Sequence, residues 1–212
     1  MRRHPDLYLM RHGETAWNLE GRLQGRGDSP LTARGRQQAA WLGDLTRGVA
    51  GARLSSPLGR ADQTARIAFG AAVPHDPRLA EICVGHWSGA LEHDLRRAHP
   101  DLFADGPLDW YDRCPGGEGL AALRSRCRAF LDDLTGPTLV VTHGITLRML
   151  RLLVLDLPDL ACGTVRQGGV HVLRGGAETV LRHPQDIWPC IRACKPGAAG
   201  VNSRRAGPLA QW

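Results

Sequence analysis

The sequence predicts an α/β sandwich in which helices flank a mostly parallel central sheet. Two short apolar segments, 6–10 (DLYLM) and 138–142 (TLVVT), have the aliphatic and β-branched composition of buried strands. Helical patterns lie between them, and strands that alternate with helices are typical of parallel α/β sheets. An apolar share of 42% over 212 residues is enough for one sizeable core.

The individual elements follow from helical patterning, capping residues and turn residues. Thr32 is expected to cap the first helix, because a threonine side chain can accept hydrogen bonds from free backbone N–H groups. A second helix is expected after Pro57. In chain order the predicted elements are strand 6–10, helices 32–45 and 58–69, a helix with an irregular excursion over 92–111, helix 118–134 after a PGG segment, strand 138–142, helix 145–155, and strands 168–173 and 179–182, which turn at Gly175-Gly176.

Charge and hydropathy restrict the class of protein. The net charge is +6, and half of it lies after residue 183, so the body of the chain is only mildly basic. It lacks the concentrated basic face of a nucleic-acid-binding domain. No apolar run approaches the ~20 residues that a membrane span needs, and we see no signal-peptide pattern. We therefore expect a cytoplasmic protein with no membrane span and no nucleic-acid partner.

Six cysteines occur at irregular spacing, which favours reduced thiols over a disulfide framework. Cys190 and Cys194 form only a CxxxC pattern, a weak zinc signal, so no metal is expected. Near the C-terminus the composition shifts to Gly, Ala, Pro and Arg. We therefore expect one domain over residues 1–190 and a flexible tail over residues 191–212.

Two His-Gly pairs each follow a predicted buried strand. Arg11-His12-Gly13 follows the first strand, and His143-Gly144 follows the segment TLVVT. Open α/β sheets bind ligands at the carboxyl ends of their strands, so the two histidines meet in one crevice if the strands are neighbours. A neutral imidazole can attack phosphorus while cationic groups hold the other oxygens of a phosphoryl group. Nearly all cations of the chain are arginines, whose planar fork suits phosphate.

Several separated sequence blocks occur in the order found in one known family. They are 11–39, which begins with RHGET, 55–65 (SSPLGRADQTA), 79–81 (LAE) with 85–89 (GHWSG), 115–118 (PGGE), and the pair His143-Gly144. On these motifs the chain resembles the histidine phosphatase superfamily, in particular the phosphoglycerate-mutase-like enzymes of branch 1, over residues 6 to 182. The resemblance implies a three-layer sandwich with a mostly parallel central sheet flanked by helices.

The resemblance also implies roles for six residues. His12 would be the nucleophile that becomes phosphohistidine, and Glu81 would protonate the leaving oxygen. The phosphate would be held by Arg11, Asn18, Arg60 and His143, and His143 also counts as catalytic. No cofactor is implied. Two roles agree with physical chemistry, because Arg60 lies near a predicted helix start, which favours an anion, and a phosphate beside Glu81 would favour retention of its proton.

The expected function is a metal-independent hydrolase of small-molecule phosphate monoesters. The first alternative is a phosphoglycerate mutase, but apolar Ile82-Cys83-Val84 follows Glu81 where mutases carry an arginine-containing stretch, and the region 92–112 is rich in acidic residues. The second alternative is a catalytically inactive member that only binds phosphate. A homodimer is left open.

Other phosphoryl-transfer classes lack their motifs in this chain. No cysteine has an arginine six positions later, no HxH or DxD pair occurs, and the single lysine lies outside a GxxxxGK[ST] motif. Histidines other than His12 and His143 are expected to be structural, with His86 undecided. Ser88 and Gly119 depart from the glutamate and serine that relatives often have, so the pocket rim and a helix cap are expected to differ.

Overall fold

Residues 4–186 are the part of the chain that the computed structural model describes, and they form five strands and six α-helices. In chain order these are β1 (Leu7–Arg11), α1 (Ala16–Glu20), α2 (Ala33–Leu45), β2 (Ala52–Ser55), α3 (Gly59–Phe69), α4 (Glu92–Ala98), α5 (Leu120–Asp132), β3 (Thr138–Thr142), α6 (Gly144–Leu155), β4 (Gly169–Arg174) and β5 (Ala177–Arg182). None of the helices within this described range is long and apolar enough to cross a lipid bilayer. The predicted boundary at residue 190 and the predicted tail lie outside the described residues.

The first strand of the chain lies at the centre of the sheet. The strand order is β2-β3-β1-β4-β5. β3 pairs in parallel with both β1 and β2, whereas β4 pairs antiparallel with β1 and with β5. Leu7 pairs with Thr138 and Arg11 with Thr142. The two predicted strands are neighbours, which meets the condition for one shared crevice, and the predicted hairpin at Gly175-Gly176 forms the antiparallel edge.

Both faces of the central strands β1 and β3 are buried, as strands with apolar residues at consecutive positions require. On one face, Leu7 and Leu9 pack into a core with residues of α5 and α6, such as Phe130. On the other face, Tyr8 and Met10 pack with residues of α2 and α3. This alternation follows the two-residue period of a strand. The predicted three-layer sandwich is confirmed.

The elements α1 and β2 go beyond the sequence-based prediction. In β2, Ala52 and Arg53 are exposed and Ser55 is buried, so the segment lacks an apolar pattern. It is a strand because its backbone pairs with the buried strand β3 along its whole length. Tertiary pairing of this kind overrides a weak local preference.

The start of α5 shows how one departure from the family pattern is compensated. The helix begins at Leu120, two residues later than predicted. Gly119 is the N-cap residue, has a φ of +76° and offers no side chain to cap the helix. The carboxylate of Asp112 accepts the Leu120 N–H instead. The irregular excursion before α5 therefore supplies the cap from a distance in sequence.

A small third apolar cluster lies under that excursion, beside the carboxyl ends of the strands. Its buried members are Leu23, Val84, Trp87, Trp110 and Cys114. The Trp87 ring stacks on Phe103 with a centroid distance of 5.9 Å. This packing fixes one wall of the crevice described next.

Candidate active site

His12 and His143 lie side by side at the carboxyl ends of β1 and β3. Their ring centroids are 5.2 Å apart, and both side chains are buried. The His12 backbone N–H donates to the carbonyl oxygen of Thr142 at 2.9 Å, which extends the pairing of the two strands. The parallel register therefore brings the two predicted histidines into one crevice.

The His12 ring is held with one nitrogen facing its own loop and the other facing Arg60. Nδ1 lies 2.8 Å from the Gly13 carbonyl oxygen, and Arg60 Nε lies 3.2 Å from Nε2. Because a carbonyl only accepts and a guanidinium only donates, Nδ1 carries the proton and Nε2 presents a lone pair. Burial, followed by the charges of Arg60 and Arg11, holds the pKa of His12 well below 6.5. The ring is thus a neutral base whose Nε2 lone pair accepts from Arg60.

The loop that carries His12 is pressed against α2 through two glycines. A Cβ atom on Gly13 would lie 2.2 Å from the Gly35 carbonyl oxygen, and a Cβ on Gly35 would lie 2.0 Å from the Glu14 carbonyl oxygen. Any side chain at either position would force the loop away from the helix. Gly35 therefore permits the close packing of the loop on α2.

Arg60 is the second residue of α3 and is only 1% exposed. Its guanidinium donates to the carbonyl oxygens of Gly25 at 2.8 Å and Gly27 at 2.6 Å. Asp28 accepts the Arg60 backbone N–H at 3.2 Å and lies 3.3 Å from the guanidinium. Burial lowers the pKa of Arg60, while the carboxylates of Glu81 and Asp28 oppose that change. These contacts fix a buried cation against His12.

Arg11 adds a second, partly buried cation. Burial lowers its pKa to about 10, so it stays charged at neutral pH. One terminal nitrogen donates to the Val165 carbonyl oxygen at 3.2 Å, whereas Nε is buried without a partner among the described residues. The loop that supplies Val165 is tied to α6, because Arg148 donates to the Gly163 carbonyl and Arg151 to the Cys162 carbonyl.

His143 is fully buried behind His12. Its Nε2 lies 2.6 Å from Ser56 Oγ, and its Nδ1 has no hydrogen-bond partner within residues 4–186. Burial, together with the charge of Arg60, holds the pKa of His143 well below 6.5. His143 is therefore a second neutral imidazole in the crevice.

The Glu81 carboxylate lies at the N-terminus of α6. Oε2 accepts the Ile145 N–H at 3.1 Å, and Oε1 accepts the Thr146 N–H at 3.1 Å and the Ile82 N–H at 3.0 Å. A helix N-terminus has free N–H groups that suit a carboxylate. Since α6 begins directly after His143, the same helix start positions both residues.

Asn18 belongs to α1, and its side chain takes part in a capping box with Thr15. Its Oδ1 accepts hydrogen bonds from the Thr15 N–H at 3.1 Å and from Gln167 Nε2 at 3.2 Å. Because the oxygen is occupied by these donors, the amide nitrogen is the atom that remains for a ligand. This orientation suits the predicted role of Asn18 as a hydrogen-bond donor.

A cavity of about 380 Å³ opens above His12. Five of the six predicted site residues line it, namely Arg11, His12, Asn18, Arg60 and Glu81. His143 does not line the cavity and lies behind it. The apolar wall consists of Leu19, Leu23, Ile82, Val84, Leu108, Trp110 and Tyr111. A second cavity, lined by residues such as Leu131 and Leu153, shares no lining residue with the first.

The rim of the main cavity carries charges that already have partners. Arg22 lies 2.5 Å from Glu20, and Arg96 lies 2.7 Å from Glu92. Arg96 also lies 4.5 Å above the Phe103 ring. The positive charge of the cavity is therefore concentrated at its base, where Arg60 donates to His12 Nε2 and Arg11 also lines the cavity. Such a base suits one anionic group.

Several groups around the site have no signal in the sequence that would indicate their part in it. Ser56 belongs to a recognised block, yet only the structure shows its contact with His143. Asp28 contacts Arg60 across 32 positions, and Val165 contacts Arg11 across 154 positions through a backbone carbonyl. His86, left undecided by the sequence, is exposed and outside the cavity lining.

The buried imidazoles make the free energy of unfolding depend on pH. The pKa values of His12, His143 and His171 are all below 6.5 in the folded protein, so the unfolded chain binds more protons once the pH falls below 6.5. The stability should be fully present above pH 6.5 and decrease below it, by up to about 1.4 kcal/mol per pH unit for each histidine. Urea unfolding at pH 7.5, 6.5 and 5.5 measures this, and a flat profile between pH 6.5 and 5.5 would contradict it.

Acidic, histidine and thiol side chains do not gather into a metal centre in the described part of the chain. Residues 4–186 contain no group of three or more His, Cys, Asp or Glu side chains that could hold a metal ion. The four cysteines in this range are free thiols: Cys83, Cys114, Cys127 and Cys162. The CxxxC pair at 190 and 194 lies outside the described residues.

Comparison with known proteins gives matches over most of the chain. A protein of Enterobacter sp. (strain 638) named "Probable phosphoglycerate mutase GpmB" is 38% identical over 173 residues, which are 73% of this chain and 77% of that protein. The alpha-ribazole phosphatase from Shigella flexneri is 30% identical with a TM-score of 0.72, and the match covers 84% of this chain and 95% of that chain. A phosphoglycerate mutase from Thermus thermophilus is 37% identical with a TM-score of 0.66, covering 83% of this chain and 96% of that chain.

A match to a protein-family model assigns the chain to a superfamily. Residues 7–178 match the histidine phosphatase superfamily (branch 1), a range that includes every predicted site residue. The order of the sequence blocks, the three-layer fold and the paired strand-end histidines agree with this match. On these grounds the chain belongs to branch 1 of the histidine phosphatase superfamily.

Proposed function

We propose that this chain is a metal-independent phosphomonoester hydrolase that works through a phosphohistidine on His12. The observation that carries the proposal is the neutral His12 ring, whose Nε2 lone pair faces Arg60 at the base of a cavity that Arg11 also lines. A phosphate bound there would meet a nucleophile and two cations at once. Arg60 Nε donates to that lone pair in the structure, so the incoming phosphate must take over this donor before attack.

In the first step, His12 Nε2 forms a bond to phosphorus as the P–O bond to the leaving group breaks. Glu81 gives a proton to the departing oxygen, which leaves as an alcohol. In the second step, water attacks the phosphohistidine, one of its protons passes to Glu81, and the His12 imidazole leaves. Arg11, Arg60, Asn18 and His143 hold the phosphate oxygens throughout.

The charge distribution of the rim favours water over a second phosphoglycerate as the phosphoryl acceptor. A mutase has to hold the carboxylate of its substrate, which needs an unpaired cation near the cavity mouth. Both rim arginines, Arg22 and Arg96, already pair with a carboxylate. Ile82 and Val84 contribute apolar surface to the cavity directly after Glu81. We therefore propose a small-molecule phosphate monoester with an uncharged leaving group as the substrate class.

Product analysis tests this choice. With EDTA present, the protein should release phosphate from uncharged-alcohol monoesters, because Arg11, Arg60 and His143 supply the phosphate clamp without a metal. With 3-phosphoglycerate and a trace of 2,3-bisphosphoglycerate, little 2-phosphoglycerate should form. Isomerisation that exceeds phosphate release by an order of magnitude would establish the mutase alternative. Strict dependence on added Mg²⁺ or Zn²⁺ would contradict the metal-free clamp.

A second prediction concerns the contribution of Arg60 to phosphate binding and turnover. Arg60→Ala should lower kcat/KM by roughly 10²–10³-fold, as loss of one preorganised donor does. Arg66→Ala is a matched control, because Arg66 lies on the same helix, is exposed and forms an ion pair with Asp62 away from the cavity. Steady-state kinetics on one monoester compares the two variants. Equal, small losses in both would remove Arg60 from the clamp.

A further inference from the structure

Ser56 and His143 form a buried pair directly behind the His12 ring. Both are 0% exposed. Ser56 follows β2, and its backbone N–H donates to the Val141 carbonyl at 2.9 Å, so the end of β3 fixes its position. Its hydroxyl oxygen lies 2.6 Å from His143 Nε2 and accepts the Leu58 N–H at 3.2 Å. The hydroxyl therefore has two neighbours of different chemistry.

Proton counting distinguishes the two neutral forms of His143. A serine hydroxyl has one proton to donate and two lone pairs. If His143 carried its proton on Nε2, Ser56 would accept from both neighbours, its own proton would have no acceptor, and Nδ1 would be an unpaired lone pair. If Ser56 donates to Nε2, every group of the pair is satisfied except a single Nδ1–H. The second arrangement leaves fewer buried polar groups without a partner.

We propose that Ser56 is a positioning residue that holds His143 with its proton on Nδ1, so that His143 offers an N–H donor to a phosphate. The bond made by one ring nitrogen decides which nitrogen carries the proton. The part of this inference that concerns phosphate rests on the proposed function, whereas the position of the proton does not.

A second observation supports the same arrangement. Among the described residues near His12, two buried nitrogens lack a partner, His143 Nδ1 and Arg11 Nε. Arg11 Nε is a donor, and His143 Nδ1 is a donor only in the form that Ser56 selects. An anion in the crevice would accept from both, which would satisfy two buried groups at once. The lowered pKa of His143 is consistent with a neutral ring that donates through one nitrogen.

The position of the proton can be measured directly in the resting wild-type protein. ¹⁵N-labelled histidine gives distinct signals for protonated and unprotonated ring nitrogens, and loss of one spin system in His143→Gln assigns the residue. We expect Nδ1 to be the protonated nitrogen near neutral pH. A protonated Nε2 in the wild type would overturn the proposal. Because no turnover is involved, this result is independent of whether the protein hydrolyses phosphate monoesters.

Variants of the two adjacent buried serines test the part played by Ser56. Ser56→Ala should move proton occupancy away from Nδ1 and weaken binding of inorganic phosphate roughly 10- to 100-fold, the range seen when histidine ligands of metal sites lose an orienting partner. Ser55→Ala is the matched control, since Ser55 Oγ donates to the Ser56 carbonyl and not to His143, and it should change binding less than about threefold. Ser56→Cys, with a weak S–H donor, should fall between the two and provides the test if the alanine variant does not fold. Unchanged proton position and unchanged phosphate binding in the Ser56 variants would overturn the role.

Discussion

Replacing His12 with alanine should lower the turnover of a phosphate monoester by about 10⁴-fold or more, because the covalent route is removed entirely. Arg11, Arg60 and His143 would remain, so inorganic phosphate should still bind. The variant therefore separates the nucleophile from the clamp. Single-turnover kinetics and phosphate binding, measured on the same preparation, give the two quantities.

His86→Ala is a suitable control for this variant, because His86 is exposed and does not line the cavity. Its turnover should match that of the wild type. Rapid quench with ³²P-labelled substrate should give an acid-labile, base-stable adduct in the wild type and none in His12→Ala, as a phosphoramidate bond requires. An alkali-labile adduct, or substantial turnover by His12→Ala, would remove His12 from the role of nucleophile.

Glu81→Gln should show a loss that depends on the leaving group. With an alkyl phosphate, whose alkoxide is a poor leaving group, the rate should fall by roughly 10²–10⁴-fold. With p-nitrophenyl phosphate, whose leaving group needs little protonation, the loss should be much smaller. Within residues 4–186, Glu81 Oε2 accepts only the Ile145 N–H, so one of its lone pairs is available to hold the transferred proton.

Glu118→Gln provides a control for indirect effects on the same loop. Glu118 is bound by Arg126 and accepts the Cys83 N–H at 3.1 Å, two positions after Glu81. Loosening this contact would displace Glu81 without changing its chemistry, so both substrates should slow by the same factor. If Glu81→Gln also slows both substrates equally, its role is positional and the proton donor is another group.

The fold was predictable where the signal is local. Five consecutive apolar or β-branched residues mark β3, and Thr32 marks the start of α2, where its side chain accepts the Gly35 N–H. The sequence of β2 has no apolar pattern that would predict a strand. That strand forms because it pairs with β3, which is distant in sequence.

The same division applies to the site. His12 and His143 are predictable, since each follows a recognisable strand and is followed by glycine. The contacts of Arg60 with Gly25 and Gly27 depend on backbone carbonyls, which every residue possesses. A sequence motif therefore identifies the cation but not the oxygens that orient it.

The central position of β1 has a consequence for the order of events during synthesis. β1 is synthesised first, whereas its partners β3 and β4 are synthesised late. The parallel pairing of β1 with β3, which begins at Leu7 and Thr138, cannot form until residue 138 has been made. Until then, an apolar strand that belongs between two others has both edges unpaired, a state prone to aggregation. Pairings this distant in sequence slow folding. His12, the proposed nucleophile, therefore meets His143 only after about two thirds of the chain has been made.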